Sequence, residues 1–182
     1  ATTDELSEIV TYCEAANLPL KILPGMDAVL DDEASLSQRP ILIVGGGGYI
    51  GTHLIEILLG NDYRVRIFDK FVFGREVLGE LENHPNLEII EGDISNIYLL
   101  TLALRDSQAV IHLAGLVGDP ASSIDDNLTQ HFNIVSTRIL LESVKALRIP
   151  RFIFASSCSV YGASDEKVSE LSELNPVSSY AQ

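Results

Sequence analysis

From residue 40 onward, short apolar-rich runs alternate with longer stretches in which apolar residues recur every three or four positions. The runs are "ILIV", "RVRIFD", "LEIIEGD", "AVIHLAG" and "RFIFASS". Brief apolar segments bounded by glycines and turn residues predict strands buried on both faces. Between the first two runs lies "YIGTHLIEILLG", whose spacing predicts a helix with Gly60 as its C-cap. "NIYLLTLALRD" separates the third and fourth runs, and "IDDNLTQHFNIVSTRILLESVKAL" the fourth and fifth; both suit helices. Strand–helix alternation at this spacing implies right-handed crossovers and a parallel sheet covered on both faces. The predicted class is α/β, with a doubly wound parallel sheet.

Ahead of residue 40 the regularity is lost. Thr2 and Glu5 have capping-box spacing, and Leu6, Ile9, Val10 and Cys13 recur at helical intervals. Asn17 and Pro19 end that helix, "LPLKIL" reads as a short strand, and "DDEASLSQRP" reads as a linker. Residues 1–39 are therefore expected to be an appendage, or the tail of a preceding domain, attached to a domain spanning 40–182.

Charge narrows the partners. The 182 residues carry 26 acidic and 12 basic side chains, a formal charge of -14. That field repels nucleic acid and anionic membrane surfaces, so neither is an expected partner. No apolar run approaches the ~20 residues of a membrane span, and the N-terminal stretch lacks the pattern of a signal peptide. Cys13 and Cys158 are far apart and have no metal-ligand spacing, so no metal is expected. They read as reduced thiols of a cytoplasmic protein.

An anionic ligand would then need backbone donors, and "ILIV" runs directly into "GGGGYIG". Gly45, Gly48 and Gly51 form G-x-x-G-x-x-G, a spacing variant of the dinucleotide fingerprint. The first glycine permits the tight turn, the second lets the backbone approach a pyrophosphate, and the third lets the helix pack closely. Tyr49 and Ile50 lie within this turn, at a helix start that favours negative charge. Asp69 ends the second strand 18 residues beyond Gly51, where a carboxylate can accept from an adenosine ribose. It would repel a 2′-phosphate, so NAD is expected over NADP, and the adjacent Lys70 weakens that preference. Asp93 and Ile94, after the third strand, are placed to flank an adenine, although an acidic helix cap fits Asp93 equally well. "HLAG" at the fourth strand's end would let Leu113, Ala114 and Gly115 run beside the cofactor. His112 reads as a strand-end histidine rather than a catalyst.

"FASSCSVYG" follows the fifth strand, at the sheet edge that faces ligands in open parallel sheets. With the tyrosine of "PVSSYAQ" it makes a hydride-transfer site, Tyr180 as acid/base and a serine as partner to the reacting oxygen. A tyrosine hydroxyl in water ionises near pH ~10, so such a base needs a neighbouring cation.

Together, "ILIVGGGGYIG", "GDI", "HLAG", "SSCSVYG" and "PVSSYAQ" resemble, in order and spacing, the extended short-chain dehydrogenases/reductases. Within them the resemblance is to the NAD-dependent epimerase/dehydratase family, and it covers residues 40–182. It implies a Rossmann-like NAD-binding domain and carries the cofactor roles onto Gly45, Gly48, Gly51, Asp69, Asp93, Ile94, Ala114 and Gly115. Asn133 matches the asparagine of the long helix. Ser157 falls at the catalytic Ser/Thr, and Tyr180 at the tyrosine of Y-x-x-x-K. The lysine of that motif would follow Tyr180 by four residues, and only Ala181 and Gln182 remain. The chain is accordingly expected to be an incomplete domain, lacking the last strands and the substrate-binding region, and inactive by itself. The family's sugar dehydratases place acidic residues where this chain has Cys158 and Ser159, so the resemblance favours a nucleotide-sugar 4-epimerase. A ketoreductase or dehydratase, or a non-catalytic NAD sensor, is the alternative. The implied partners are a UDP- or dTDP-sugar substrate and a second copy in a homodimer.

Overall fold

A computed structural model describes residues 38–117, 129–164, 167–178, 180 and 181. The expected N-terminal helix, strand and linker lie outside these residues, apart from Gln38 and Arg39, as does the segment 118–128 ahead of the third long helix.

The five apolar runs form strands β1 (Ile41–Val44), β2 (Val65–Asp69), β3 (Leu87–Glu91), β4 (Ala109–His112) and β5 (Phe152–Phe154). All are parallel, in the spatial order β3-β2-β1-β4-β5. β1 is central: Ile41 sits opposite Val65 and Ala109, and Val44 opposite Phe68 and His112. All four residues of β1 are buried, which is why this strand shows no polar alternation.

Because successive side chains point to opposite faces, each strand feeds two cores. Leu42, Val44, Phe68, Val110 and Phe152 pack on one face with Leu100 and Leu104 of α2 (Ile97–Leu104) and Leu140, Leu141 and Val144 of α3 (Ser136–Ala146). Ile41, Ile43, Val65, Ile67, Ile111 and Ile153 pack on the other with Leu54, Ile55, Leu58 and Leu59 of α1 (Tyr49–Gly60). Full burial of each such side chain contributes roughly 1.5–3 kcal/mol. The chain leaves β1 for one face and β4, its neighbour, for the other. A crevice must open between those two exits, at the C-terminal edge of the sheet.

One helix end differs from expectation. Gly60 is the last residue of α1, and its φ is not positive. The left-handed residue is Asp62, at φ 61, whose N–H donates to the Leu59 carbonyl at 3.0 Å. Asn61 lets the helix end later, because its Nδ2 donates to the Ile57 carbonyl at 2.8 Å and satisfies a carbonyl the helix leaves open. α3 is entered through a π-helical turn, His131–Val135. On the second face, two short 3₁₀ turns within Glu76–Asn83 break at Gly79 and bury Leu78.

Candidate functional site

The glycine turn lies where β1 and β4 diverge. Gly45 adopts φ 87, and a Cβ there would fall on the backbone of Ala114. The two strand exits therefore touch. A Cβ at Gly51 would stand 2.5 Å from the Gly46 carbonyl oxygen, so only glycine lets the first turn of α1 rest on the loop. α1 has no side-chain N-cap and no acidic residue in its first turn. Helix geometry leaves its first N–H groups without intrahelical acceptors. The side chains of Tyr49 and Ile50 are exposed, so what these residues offer a ligand is their backbone.

Asp69 stands beside this turn. Its Oδ2 accepts from the Gly47 N–H at 2.8 Å and its Oδ1 from the Phe71 N–H at 2.6 Å. Gly47 lies between the fingerprint positions and has a role the motif does not assign. Four consecutive glycines, where the motif needs two, were the available signal.

At the end of β3, Asp93 does what an acidic residue before a helix commonly does. Its Oδ1 accepts from the Ser95 N–H at 2.9 Å and from the Ser95 hydroxyl at 2.8 Å, while Oδ2 meets Lys70 Nζ at 3.0 Å. The Ser95 N–H first, then the Lys70 ammonium, lower its carboxyl to about 2, against the partial burial that opposes them. The N-cap of α2 is Asn96, whose Oδ1 accepts from the Leu99 N–H at 3.2 Å. Ile94 is turned into the core rather than toward the crevice.

His112 is 1% exposed, and burial pushes its imidazole down to about 4. Its Nε2 lies 2.9 Å from Thr137 Oγ1, and that hydroxyl sits 2.6 Å from the Asn133 carbonyl. The hydroxyl proton goes to the carbonyl, so Nε2–H is the donor and Nδ1 is left as a buried acceptor with no partner. His112 is thus a buried, neutral histidine at the end of β4. The side chain of Asn133 grips the main chain of Leu116, accepting from its N–H at 2.7 Å and donating to its carbonyl at 3.0 Å.

Ser157 and Tyr180 line one cleft together with Leu113, Ala114, Gly115 and Asn133. Ser157 caps the 3₁₀ turn Cys158–Tyr161, its Oγ accepting from the Ser159 N–H at 3.2 Å and donating to Ser159 Oγ at 3.1 Å. The segment bearing Tyr180 is brought back by the Asn175 N–H, which donates to the Val160 carbonyl at 2.9 Å. It is anchored by Ala181, 3% exposed. Thr137 joins this wall without having been singled out, although it stands four residues from Asn133 on the same helical face. The structure thus brings Ser157, Tyr180, Leu113, Ala114, Gly115 and Asn133 to one cleft. Asp69 and Gly47 meet at the neighbouring turn, and Asp93 and Lys70 pair beyond β2. Among the described residues no His, Cys, Asp and Glu side chains cluster as metal ligands, and no helix is long and apolar enough to cross a membrane.

Sheet order, glycine turn and helix placement are those of a Rossmann-like nucleotide-binding domain. Residues 41–182 match the model of the NAD dependent epimerase/dehydratase family, and the chain belongs to that family. It is 37% identical to a UDP-glucose 4-epimerase of Klebsiella pneumoniae over 133 residues, which are 67% of this chain and 91% of that protein. It is 29% identical to a trifunctional UDP-glucose 4,6-dehydratase/UDP-4-keto-6-deoxy-D-glucose 3,5-epimerase/UDP-4-keto-L-rhamnose-reductase of Arabidopsis thaliana, over 82% of this chain and 24% of that one. Among solved structures, the UDP-glucuronic acid 4-epimerase from Bacillus cereus in complex with UDP-glucuronic acid and NAD superposes with a TM-score of 0.72. The identity is 34%, over 78% of this chain and 48% of that one. The chain therefore spans less than half the length of that solved epimerase.

Proposed function

We propose that the chain is the cofactor-binding part of an NAD-dependent nucleotide-sugar 4-epimerase. The observation that carries this reading is the shared cleft: Ser157 and Tyr180 face it from opposite ends of the C-terminal segment, beside the Leu113–Gly115 wall that abuts the glycine turn. The residues present fit NAD, because Gly45 and Gly51 hold the glycine loop tight against Ala114 and α1, Gly48 has only the Gly45 carbonyl oxygen near where a Cβ would stand, and the acid-free first turn of α1 suits a pyrophosphate. Asp69 receives the adenosine ribose hydroxyls, with Gly45, Gly48, Tyr49, Ile50 and Gly51 at the phosphates and Asp93 with the main chain of Ile94 near the adenine.

Bound there, the nicotinamide supplies reversible two-electron oxidation at sugar C4. Tyr180 takes the proton from the sugar 4-hydroxyl and returns it, and Ser157 donates a hydrogen bond to that oxygen in the keto form. Asn133 keeps the wall in register through Leu116. Cys158 and Ser159 stand where the dehydratases of the family carry acidic residues, which supports epimerisation over dehydration. The substrate class is a UDP- or dTDP-linked sugar, the UDP class being favoured by the relatives. The active assembly is a homodimer in the cytoplasm. Within this reading the 182 residues are assigned the binding of the dinucleotide.

The test is calorimetric titration with NAD, paired with NMR assays of UDP-sugar interconversion on this polypeptide and on any longer product of its gene. NAD binding by both is expected, with interconversion by the longer one only and a loss of about a thousandfold in Tyr180→Phe. Failure to bind NAD would overturn the whole reading. Interconversion by the 182 residues alone would overturn the division of labour.

A further inference from the structure

Two cations follow Asp69 within six residues, Lys70 and Arg75, and carboxylates engage both. Lys70 Nζ lies 3.0 Å from Asp93 Oδ2 and 5.9 Å from the centre of the Phe132 ring. Arg75 Nη2 is 2.9 Å from Glu82 Oε1, its Nη1 is 3.8 Å from Glu91 Oε2, and its guanidinium stacks over Phe71 at 5.6 Å. Both arrangements draw positive charge toward the β3 side of the sheet.

That side matters for any nucleotide whose ribose meets Asp69. A 2′-hydroxyl there donates to the carboxylate. A 2′-phosphate is repelled by it and needs a compensating cation. Lys70 is adjacent in sequence, half-exposed and long enough to turn, yet its ammonium is already spent on Asp93. Asp93 is not free to yield, because its other oxygen is pinned twice by Ser95.

Resting on the NAD-binding reading above, we propose that Asp93 is a cofactor-specificity residue. By holding Lys70 it denies a 2′-phosphate its counter-charge, so the preference for NAD over NADP is set by Asp69, Lys70 and Asp93 together. Asp93→Asn is a clean probe. The amide oxygen can keep the Ser95 bonds, and an amide NH₂ replaces the oxygen that faces the ammonium.

The experiment titrates the chain and its variants by calorimetry with NAD, NADP and the half-ligands 5′-AMP and 2′,5′-ADP, after circular dichroism shows each variant folded. In Asp93→Asn the NADP:NAD affinity ratio should rise about fivefold, the scale of one exposed ion pair. The 2′,5′-ADP:5′-AMP ratio should rise equally, and both gains should shrink in about 0.5 M salt. Any loss of adenine contact weakens both ligands of a pair alike and cancels from the ratio. The gain should vanish in Asp93→Asn/Lys70→Ala, while Lys70→Ala alone should leave the ratio unchanged, since the ammonium is already occupied. An unchanged ratio in Asp93→Asn, or a gain that survives loss of Lys70, overturns the inference. So does a drop in the ratio in Lys70→Ala alone, a result that does not depend on the Asp93 variant folding. A wild-type chain that binds neither NAD nor 5′-AMP overturns the functional reading itself, and this one with it.

Discussion

Asn133 and Leu116 are joined at both ends of one amide: the side-chain oxygen accepts from the Leu116 N–H and the side-chain nitrogen donates to the Leu116 carbonyl. A side-chain amide carries both the acceptor and the donor needed to meet the N–H and the C=O of one residue. Asn133→Asp keeps the acceptor and loses the donor, and Asn133→Ala loses both. We expect losses of about 1 and 2–3 kcal/mol of stability respectively, read from urea midpoints. NAD affinity should fall in the same order, because the wall at Gly115 loosens.

Acid sensitivity should trace to His112. Its folded-state value near 4 lies below the ordinary 6.5, so the unfolded chain takes up a proton that the folded chain refuses. Stability is unaffected by this group above pH 6.5 and declines as pH falls from there toward 4, by on the order of 3 kcal/mol in all. Asp93 acts lower, its contribution being lost as pH falls from 3.8 through about 2. Denaturant unfolding of wild type and His112→Leu at neutral pH and near pH 5 provides the check. The leucine variant should show a much smaller difference between the two, since the Thr137 hydroxyl keeps its bond to Asn133 in either protein.

Two glycines of one helix should answer oppositely to alanine. At Gly51 the new methyl meets the Gly46 backbone, and we expect a loss of about 1–3 kcal/mol together with a tenfold or greater weakening of NAD binding. At Gly60 nothing lies within 4 Å and the backbone is not left-handed, so alanine should stabilise by up to about 1 kcal/mol. Thermal melts of the pair separate a steric requirement from a composition accident.

Arg66 ties β2 to the end of α2. Its Nη1 donates to the carbonyls of Ala103 at 2.8 Å and Arg105 at 2.6 Å, while Nε pairs with Glu88 at 2.7 Å. Arg66→Met should cost about 2 kcal/mol, since two terminal carbonyls lose a charged donor. Glu88→Gln should cost under about 1 kcal/mol, because that carboxylate is half-exposed. A comparable loss in both variants would place the energy in the ion pair instead of the helix end.

The sheet was legible because a strand buried on both faces, as β1 and β4 are, leaves an apolar run that few other elements leave; β3, at the sheet edge, is only partly buried, and its run is mixed with glutamates. Gly45 and Gly51 were legible for a similar reason, since backbone contacts there exclude any side chain. What escaped were partnerships in which one member is main chain. Nothing in the letters around Asn133 names Leu116, and nothing around Asp69 names Gly47, because a peptide group has no residue identity. Gly60 misled for the opposite reason: its type suggests a cap, while Asn61 had a side chain able to carry the helix end one step further. For Asp93 the spacing offered an adenine contact or a helix cap; the cap is Asn96 instead, and the bonds of Asp93 to Ser95 and Lys70 could be read only once both were placed in space.

The bond from Gly47 to Asp69 carries a last consequence, for how such a protein can change over generations. The carboxylate proposed to receive the ribose also fastens the glycine loop, so replacing Asp69 to admit a different nucleotide would slacken the loop in the same step. A lineage shifting its cofactor is steered away from that residue and toward neighbours such as Lys70 and Asp93, whose changes leave the loop's fastening intact. Robust folding and a narrow set of permitted substitutions are here the same fact.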